Sequence, residues 1–133
     1  FITDGEITSD HRYKIRSLAK SLPEKDRLFR VKTNLMFQDK DGDPNAYNTP
    51  HYDFEWEKDG KRFQKNFYVA LYYCIDSDGD TVIYNERTES DTYTVKQKVT
   101  PKQGRVVIFD GGQYHTAQQC KDRIRCIANY NLA

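Results

Sequence analysis

From Leu28 onward, large apolar or β-branched residues alternate with polar ones, the two-residue period of a strand with one buried face. The pattern predicts strands over Leu28–Phe37, Phe67–Ile75, Thr81–Tyr84, Thr92–Val99, Arg105–Phe109 and Arg123–Asn131. Turn-forming residues fill the intervals, at Asp39–Pro50, Lys58–Lys61, Asp76–Asp80, Pro101–Gly104 and Asp110–Gly112. Ahead of the strands the period changes. Tyr13, Ile15, Leu18, Ala19 and Leu22 fall at helical spacings, with Ser9 or Asp10 to cap the start and Pro23 to stop the end, predicting one amphipathic helix over about residues 8–22.

The stretch Phe67–Ile75 is apolar or aromatic on both faces: Phe67, Val69, Leu71, Tyr73 and Ile75 on one, Tyr68, Ala70, Tyr72 and Cys74 on the other. Such a strand needs cover on two sides, from the barrel interior and from the helix. One helix followed by several short strands predicts a mainly β fold, a jelly-roll barrel or two-sheet sandwich with the helix on an outer face. At 133 residues the chain makes one domain, 1–133, with the barrel over about residues 28–132.

Composition narrows the function classes only a little. Lys and Arg number 21 against 20 Asp and Glu, so no strong field selects nucleic acid or an anionic membrane, and neither is expected as a partner. A peptide, protein or small-molecule substrate fits better, while the oligomeric state is not encoded. Cys74, Cys120 and Cys126 cannot all pair and show no Cys-x-x-Cys spacing, which favours reduced thiols and a cytoplasmic setting. No apolar run has the length of a membrane span. The chain opens at Phe1 without an initiator Met, as expected if a leader or further N-terminal segment has been removed.

Candidate chemistry centres on three histidines, of which His51 lies in Asn48-Thr-Pro-His-Tyr-Asp53. On an extended segment that spacing puts His51 and Asp53 on one side. His115 follows in Gly111-Gly-Gln-Tyr-His115, after the apolar run Val106–Phe109. Two imidazoles and one carboxylate bind a divalent first-row metal on three adjacent positions and leave the others open. A His-x-Asp pair taken alone is more often a hydrogen-bonded surface pair. The last strand adds weight, because Arg125 pointing into an apolar barrel needs an anion, and its planar fork suits a carboxylate.

Taken in order, these segments resemble the prolyl-4-hydroxylase-like branch of the iron(II)/2-oxoglutarate-dependent dioxygenases. The matching motifs are His51-Tyr-Asp53, the strand Leu71-Tyr-Tyr-Cys-Ile75, Val99-Thr-Pro-Lys-Gln-Gly-Arg-Val-Val-Ile-Phe109, His115, and Arg125-Cys-Ile-Ala-Asn129. Asp78-Gly-Asp-Thr-Val-Ile-Tyr84 stands in place of the family's Gly-Gly-Glu-Leu hairpin. The resemblance spans about Leu28 to Leu132 and implies a double-stranded β-helix of the cupin-like type. It implies His51, Asp53 and His115 as catalytic iron ligands, Arg125 as the 2-oxoglutarate anchor, and the Tyr73 hydroxyl near the same carboxylate. Fe(II), 2-oxoglutarate and dioxygen follow as cofactor and co-substrates, with ascorbate as an optional addition. The implied reaction hydroxylates an unactivated C–H bond, with a prolyl residue as leading substrate, and releases succinate and carbon dioxide.

Alternatives stay open beside this reading. Arg123 shares the strand face of Arg125 by period two and could be the anchor instead; Arg125 is preferred for its distance from His115. A non-catalytic jelly-roll binding module, such as a virion or other surface domain, would use the fold without a metal. A cupin-like metal enzyme would use the metal without 2-oxoglutarate. Asp39-Lys-Asp-Gly-Asp43 looks like the start of a calcium loop, but Pro50 stands where the bidentate Glu belongs, so a solvated turn is expected. Asp76–Asp80 reads as a hairpin turn, His11 as a surface residue, and Tyr52, Phe54 and Trp56 as strand packing, with Trp56 a candidate substrate contact.

Overall fold

The computed structural model describes residues 2–3, 6–7, 18–22, 28–39, 41–43, 45–53, 56–58, 61–63, 66–121 and 123–132. In chain order the strands are β1 (Ile2–Thr3), β2 (Glu6–Ile7), β3 (Leu28–Met36), β4 (Trp56–Lys58), β5 (Lys61–Phe63), β6 (Tyr68–Tyr73), β7 (Thr81–Tyr84), β8 (Val95–Val99), β9 (Val106–Asp110), β10 (His115–Ala117) and β11 (Arg125–Leu132). The larger sheet has the order β2-β1-β3-β11-β6-β9 and the smaller β10-β7-β8, while β4 and β5 form a separate pair. Every pairing is antiparallel.

The two-faced character of β6 explains how the layers stack. Phe67, Val69, Leu71 and Tyr73 pack with Ile83 of β7, Val99 of β8, and Phe109 and Ile127, so this cluster lies between the two sheets. On the opposite face Ala70, Tyr72 and Cys74 pack with Leu18, Ala19 and Leu22, together with Val31, Ala128, Tyr130 and Leu132. Residues 18–21 are helical. A short helix therefore covers the outer face of the larger sheet, as the apolar pattern requires, and each large side chain buried this way contributes about 1.5–3 kcal/mol. The remainder of the predicted helix, with His11, lies outside the described residues, as do Phe54 and the side chain of Trp56. The result is mainly β, two antiparallel sheets sharing one core, consistent with a jelly-roll or cupin-like fold.

Two expectations change. Asp76–Asp80 is not a hairpin turn, because β6 pairs with β9 and β11 whereas β7 pairs with β8 and β10, so the segment crosses from one sheet to the other. Turn residues signal a change of direction; the partners were decided by the two apolar faces of β6. The turn at Lys58–Lys61 is flanked by β4 and β5, which the pattern did not pick out. At Asp39–Asp43 the carboxylates serve their own backbone: Asp39 Oδ1 accepts from the N–H groups of Asp41 and Gly42, and Asp43 Oδ1 from Asn45 N–H. That is Asx-turn chemistry, as expected of a solvated turn. Cys74, Cys120 and Cys126 are free thiols. Among the described residues no helix is long and apolar enough to cross a membrane.

Candidate metal centre

The two imidazoles meet because their backbones do. His51 N–H donates to His115 O at 3.0 Å and His115 N–H to His51 O at 2.8 Å, so the residues sit directly opposite each other as a hydrogen-bonded antiparallel pair. Their ring centroids are 4.7 Å apart. His115 arrives through the tight turn after β9. There Gln113 N–H donates to Asp110 O at 3.0 Å, Gly112 N–H to Asp110 Oδ1 at 2.9 Å, and Arg87 holds Asp110 Oδ2 at 2.7 Å. Gly111 sits against the Phe67 ring, and a Cβ there would clash with the ring carbons, so no larger residue fits without moving the core. β10 then pairs with β7, setting His115 opposite Ile83.

Each imidazole is oriented by the carbonyl two residues before it. His51 Nδ1 lies 3.0 Å from Thr49 O and His115 Nδ1 lies 3.1 Å from Gln113 O. A carbonyl only accepts, so the proton belongs on Nδ1 and each Nε2 keeps a lone pair for a metal. Burial is the largest influence on His51 and, with the neighbouring His115, pushes its imidazole below its ordinary value, favouring the neutral ring that a metal requires.

Asp53 follows His51 by two residues, and its side chain is 1% exposed. Oδ2 accepts from Asn129 Nδ2 at 2.6 Å and from Asn131 Nδ2 at 3.0 Å, two amides projected from β11. Arg30 Nη1 donates to the Asp53 backbone carbonyl at 2.8 Å. Among the described residues Oδ1 has no hydrogen-bond partner, lying 3.7 Å from His115 Nε2 and 3.9 Å from Lys32 Nζ. Burial opposes ionisation of Asp53 and is the largest single influence. His115 and the two amides together outweigh it, holding the carboxyl well below the usual carboxylate range.

These residues fit a metal ion. Donor atoms of His51, Asp53 and His115 lie within 4.8 Å of one another. A buried carboxylate oxygen without a donor is costly, and 3.7 Å is too long for His115 to supply one. Two imidazole nitrogens and one carboxylate oxygen on one side of an ion form the donor set of non-heme iron(II) sites with open positions. The amide pair on Asp53 gives a first expected outcome: Asn129→Ala weakens iron(II) binding by about tenfold to a hundredfold, measured by metal titration. Acid gives a second. A carboxyl depressed below its unfolded value of about 4 stabilises the fold fully above that pH and loses its contribution as pH falls towards the folded value. The melting temperature of metal-free protein therefore drops on acidification below about pH 4, and Asp53→Asn flattens that drop.

A cavity of about 220 Å³ opens from this cluster and is lined by Lys32, Asn34, Met36, Asn48, Leu71, Thr81, Arg125, Ile127 and Asn129 among others. Arg125 is buried, donating from Nη2 to Thr81 Oγ1 at 2.6 Å, while its Nε has no hydrogen-bond partner among the described residues. Burial pushes the guanidinium below its ordinary value, yet an arginine stays charged, so the cavity holds a cation suited to a carboxylate. Arg123 is exposed and does not line the cavity. Tyr73 is wholly buried behind this wall. Its hydroxyl donates to Thr81 Oγ1 at 2.8 Å, and the Arg125 guanidinium lies 5.9 Å from its ring centroid, so Thr81 rather than Tyr73 meets the cavity. Sequence reasoning overlooked Thr81, Asn129, Asn131 and Lys32. A signal for the asparagines existed: Arg125, Ile127, Asn129 and Asn131 share one face of β11 by period two, and an Asn inside an apolar row needs a partner.

No protein-family model matches the chain, and no curated protein matches it in sequence. Among solved structures, the fold is similar to that of SnoN from nogalamycin biosynthesis, described as a non-heme alpha ketoglutarate dependent epimerase. The TM-score is 0.64 at 17% identity, and the likeness covers 99% of this chain. The chain spans 59% of the length of that protein, and at this identity what the two share is the fold.

Proposed function

We propose that this chain is an iron(II)- and 2-oxoglutarate-dependent oxygenase, with His51, Asp53 and His115 holding the ion and Arg125 the distal carboxylate of 2-oxoglutarate. One observation carries the reading: among the described residues, Asp53 Oδ1 has no hydrogen-bond partner, and it shares a cavity with the His51 and His115 imidazoles and with a buried arginine whose Nε also has none. Likeness in fold to an alpha ketoglutarate dependent enzyme supports it. With both bound, the ion and 2-oxoglutarate supply oxidative decarboxylation by dioxygen, giving succinate and carbon dioxide and oxidising a substrate C–H bond.

The chain supplies position and environment. Thr49 and Gln113 carbonyls fix the imidazole tautomers, and the Asn129 and Asn131 amides turn Asp53 so that Oδ1 faces His115. Thr81 steadies the Arg125 fork, and Leu71 and Ile127 give the cavity an apolar wall that limits water. Hydroxylation, with a prolyl residue as substrate, and a double-stranded β-helix for the barrel are the finer parts of the reading, supported by the order of the motifs from His51 to Asn129. Stereochemical inversion is the second reading, favoured by the epimerase named above. The test is succinate release from 2-oxoglutarate in air by iron-loaded protein. Release that requires iron and disappears in Asp53→Ala supports the proposal, and no release from folded, iron-loaded protein refutes it.

A further inference from the structure

Lys32 stands at the metal end of the cavity, and neither the metal ligands nor the 2-oxoglutarate anchor calls on it. Its Nζ is 3.9 Å from Asp53 Oδ1 and its side chain is 34% exposed. In the sheet Lys32 lies opposite Asn129, whereas Arg125 lies opposite Met36. Lys32, Asn34 and Met36 all line the cavity, so β3 runs along it from the metal end to the Arg125 end. Four residues of strand, about 13 Å, separate the two cationic positions. A diacid held at the metal end and at Arg125 would lie along the stretch between them, with Lys32 remaining at the metal end.

Charge makes that position informative. Among the described residues, the ionisable groups lining the cavity besides the two imidazoles are Lys32, Asp53 and Arg125. In the loaded site, two positive charges on the ion and one each on Lys32 and Arg125 stand against one negative charge on Asp53 and two on 2-oxoglutarate. One positive charge is left over. An ion ligated by Asp53 Oδ1 also takes from Lys32 its nearest counter-charge. An ammonium in a partly enclosed cavity with no counter-charge attracts an anion and gives a charge-assisted hydrogen bond to it.

Building on the oxygenase reading, we infer that the substrate carries a carboxylate, held by Lys32 Nζ. A single leftover charge matches a carboxylate better than a phosphate dianion.

The test uses the full chain loaded anaerobically with iron(II) and 2-oxoglutarate. The probes are a panel of N-acetyl amino acids and the same panel as carboxamides, with retention after rapid gel filtration read by mass spectrometry. Acids as a class are retained about tenfold better than amides. Lys32→Gln removes that preference, Lys32→Arg restores it, and Lys32→Gln holds iron(II) at least as tightly as the parent because a cation beside the ion is gone. Equal retention of acids and amides by the parent, or a preference that survives in Lys32→Gln, overturns the inference while leaving the oxygenase reading intact. A parent that forms no visible iron–2-oxoglutarate band in the same samples overturns the oxygenase reading itself, and this inference with it.

Discussion

His115→Ala loses iron(II) retention by more than a hundredfold while the protein stays folded. In the proposed site His115 supplies one of three donor atoms, and losing it would remove a metal bond outright, a larger loss than the tenfold to hundredfold cost of disturbing an outer partner. Its ring is buried, in edge contact with Phe109 at 5.0 Å and beside His51, so truncation also leaves a small void in the core. The backbone pairing between His51 and His115 does not depend on the side chain and keeps β10 in place. Metal titration reads the loss, and circular dichroism checks the fold. Iron(II) held by His115→Ala as tightly as by the parent would remove His115 from the ligand set.

Arg125→Ala separates the co-substrate from the metal. Iron(II) binding stays near the parent value, since no ligand contacts the guanidinium, while 2-oxoglutarate binds about a hundredfold more weakly. Truncating one partner of a buried, hydrogen-bonded charge pair costs about 2–5 kcal/mol. The guanidinium here is held by Thr81 and enclosed by the cavity wall, so water screens it little. Calorimetric titration of 2-oxoglutarate into protein loaded with iron(II) under nitrogen measures the effect, with Arg123→Ala as the matched control at an exposed position. Equal weakening in both variants would contradict the assignment of Arg125 as anchor.

How far the sequence carries this account varies by residue. That His51 and Asp53 share one side is legible from their spacing, since two residues of extended chain return side chains to one side, but the pair alone reads more often as a surface pair and gains weight only with the later motifs. His115 was not reachable by local pattern. Its strand is three residues long, too short to show a period, and its place opposite His51 depends on the Gly111–Gly112 turn. Period two leaves Arg125 and Arg123 open and distance from His115 favours Arg125; in the structure β11 begins at Arg125, which lines the cavity, while Arg123 precedes the strand and is exposed. The two faces of β6 are legible at most positions because these are apolar or aromatic, although Tyr68 is exposed rather than covered, whereas the pairing partners are not legible and Asp76–Asp80 crosses between sheets where a hairpin is expected. Lys32 was hidden among ordinary solvent-facing residues of β3, and only its proximity to Asp53 distinguishes it.

Both substitutions and the inference about Lys32 assume that three donors and one buried arginine serve a single chelate. Anaerobic titration of 2-oxoglutarate into the iron(II)-loaded chain tests this most directly, by watching for the visible metal-to-ligand charge-transfer absorption of the chelated 2-oxo acid. The account predicts that the band grows to saturation at one equivalent and is absent in Asp53→Ala. A folded, iron-loaded chain that stays colourless throughout would contradict it.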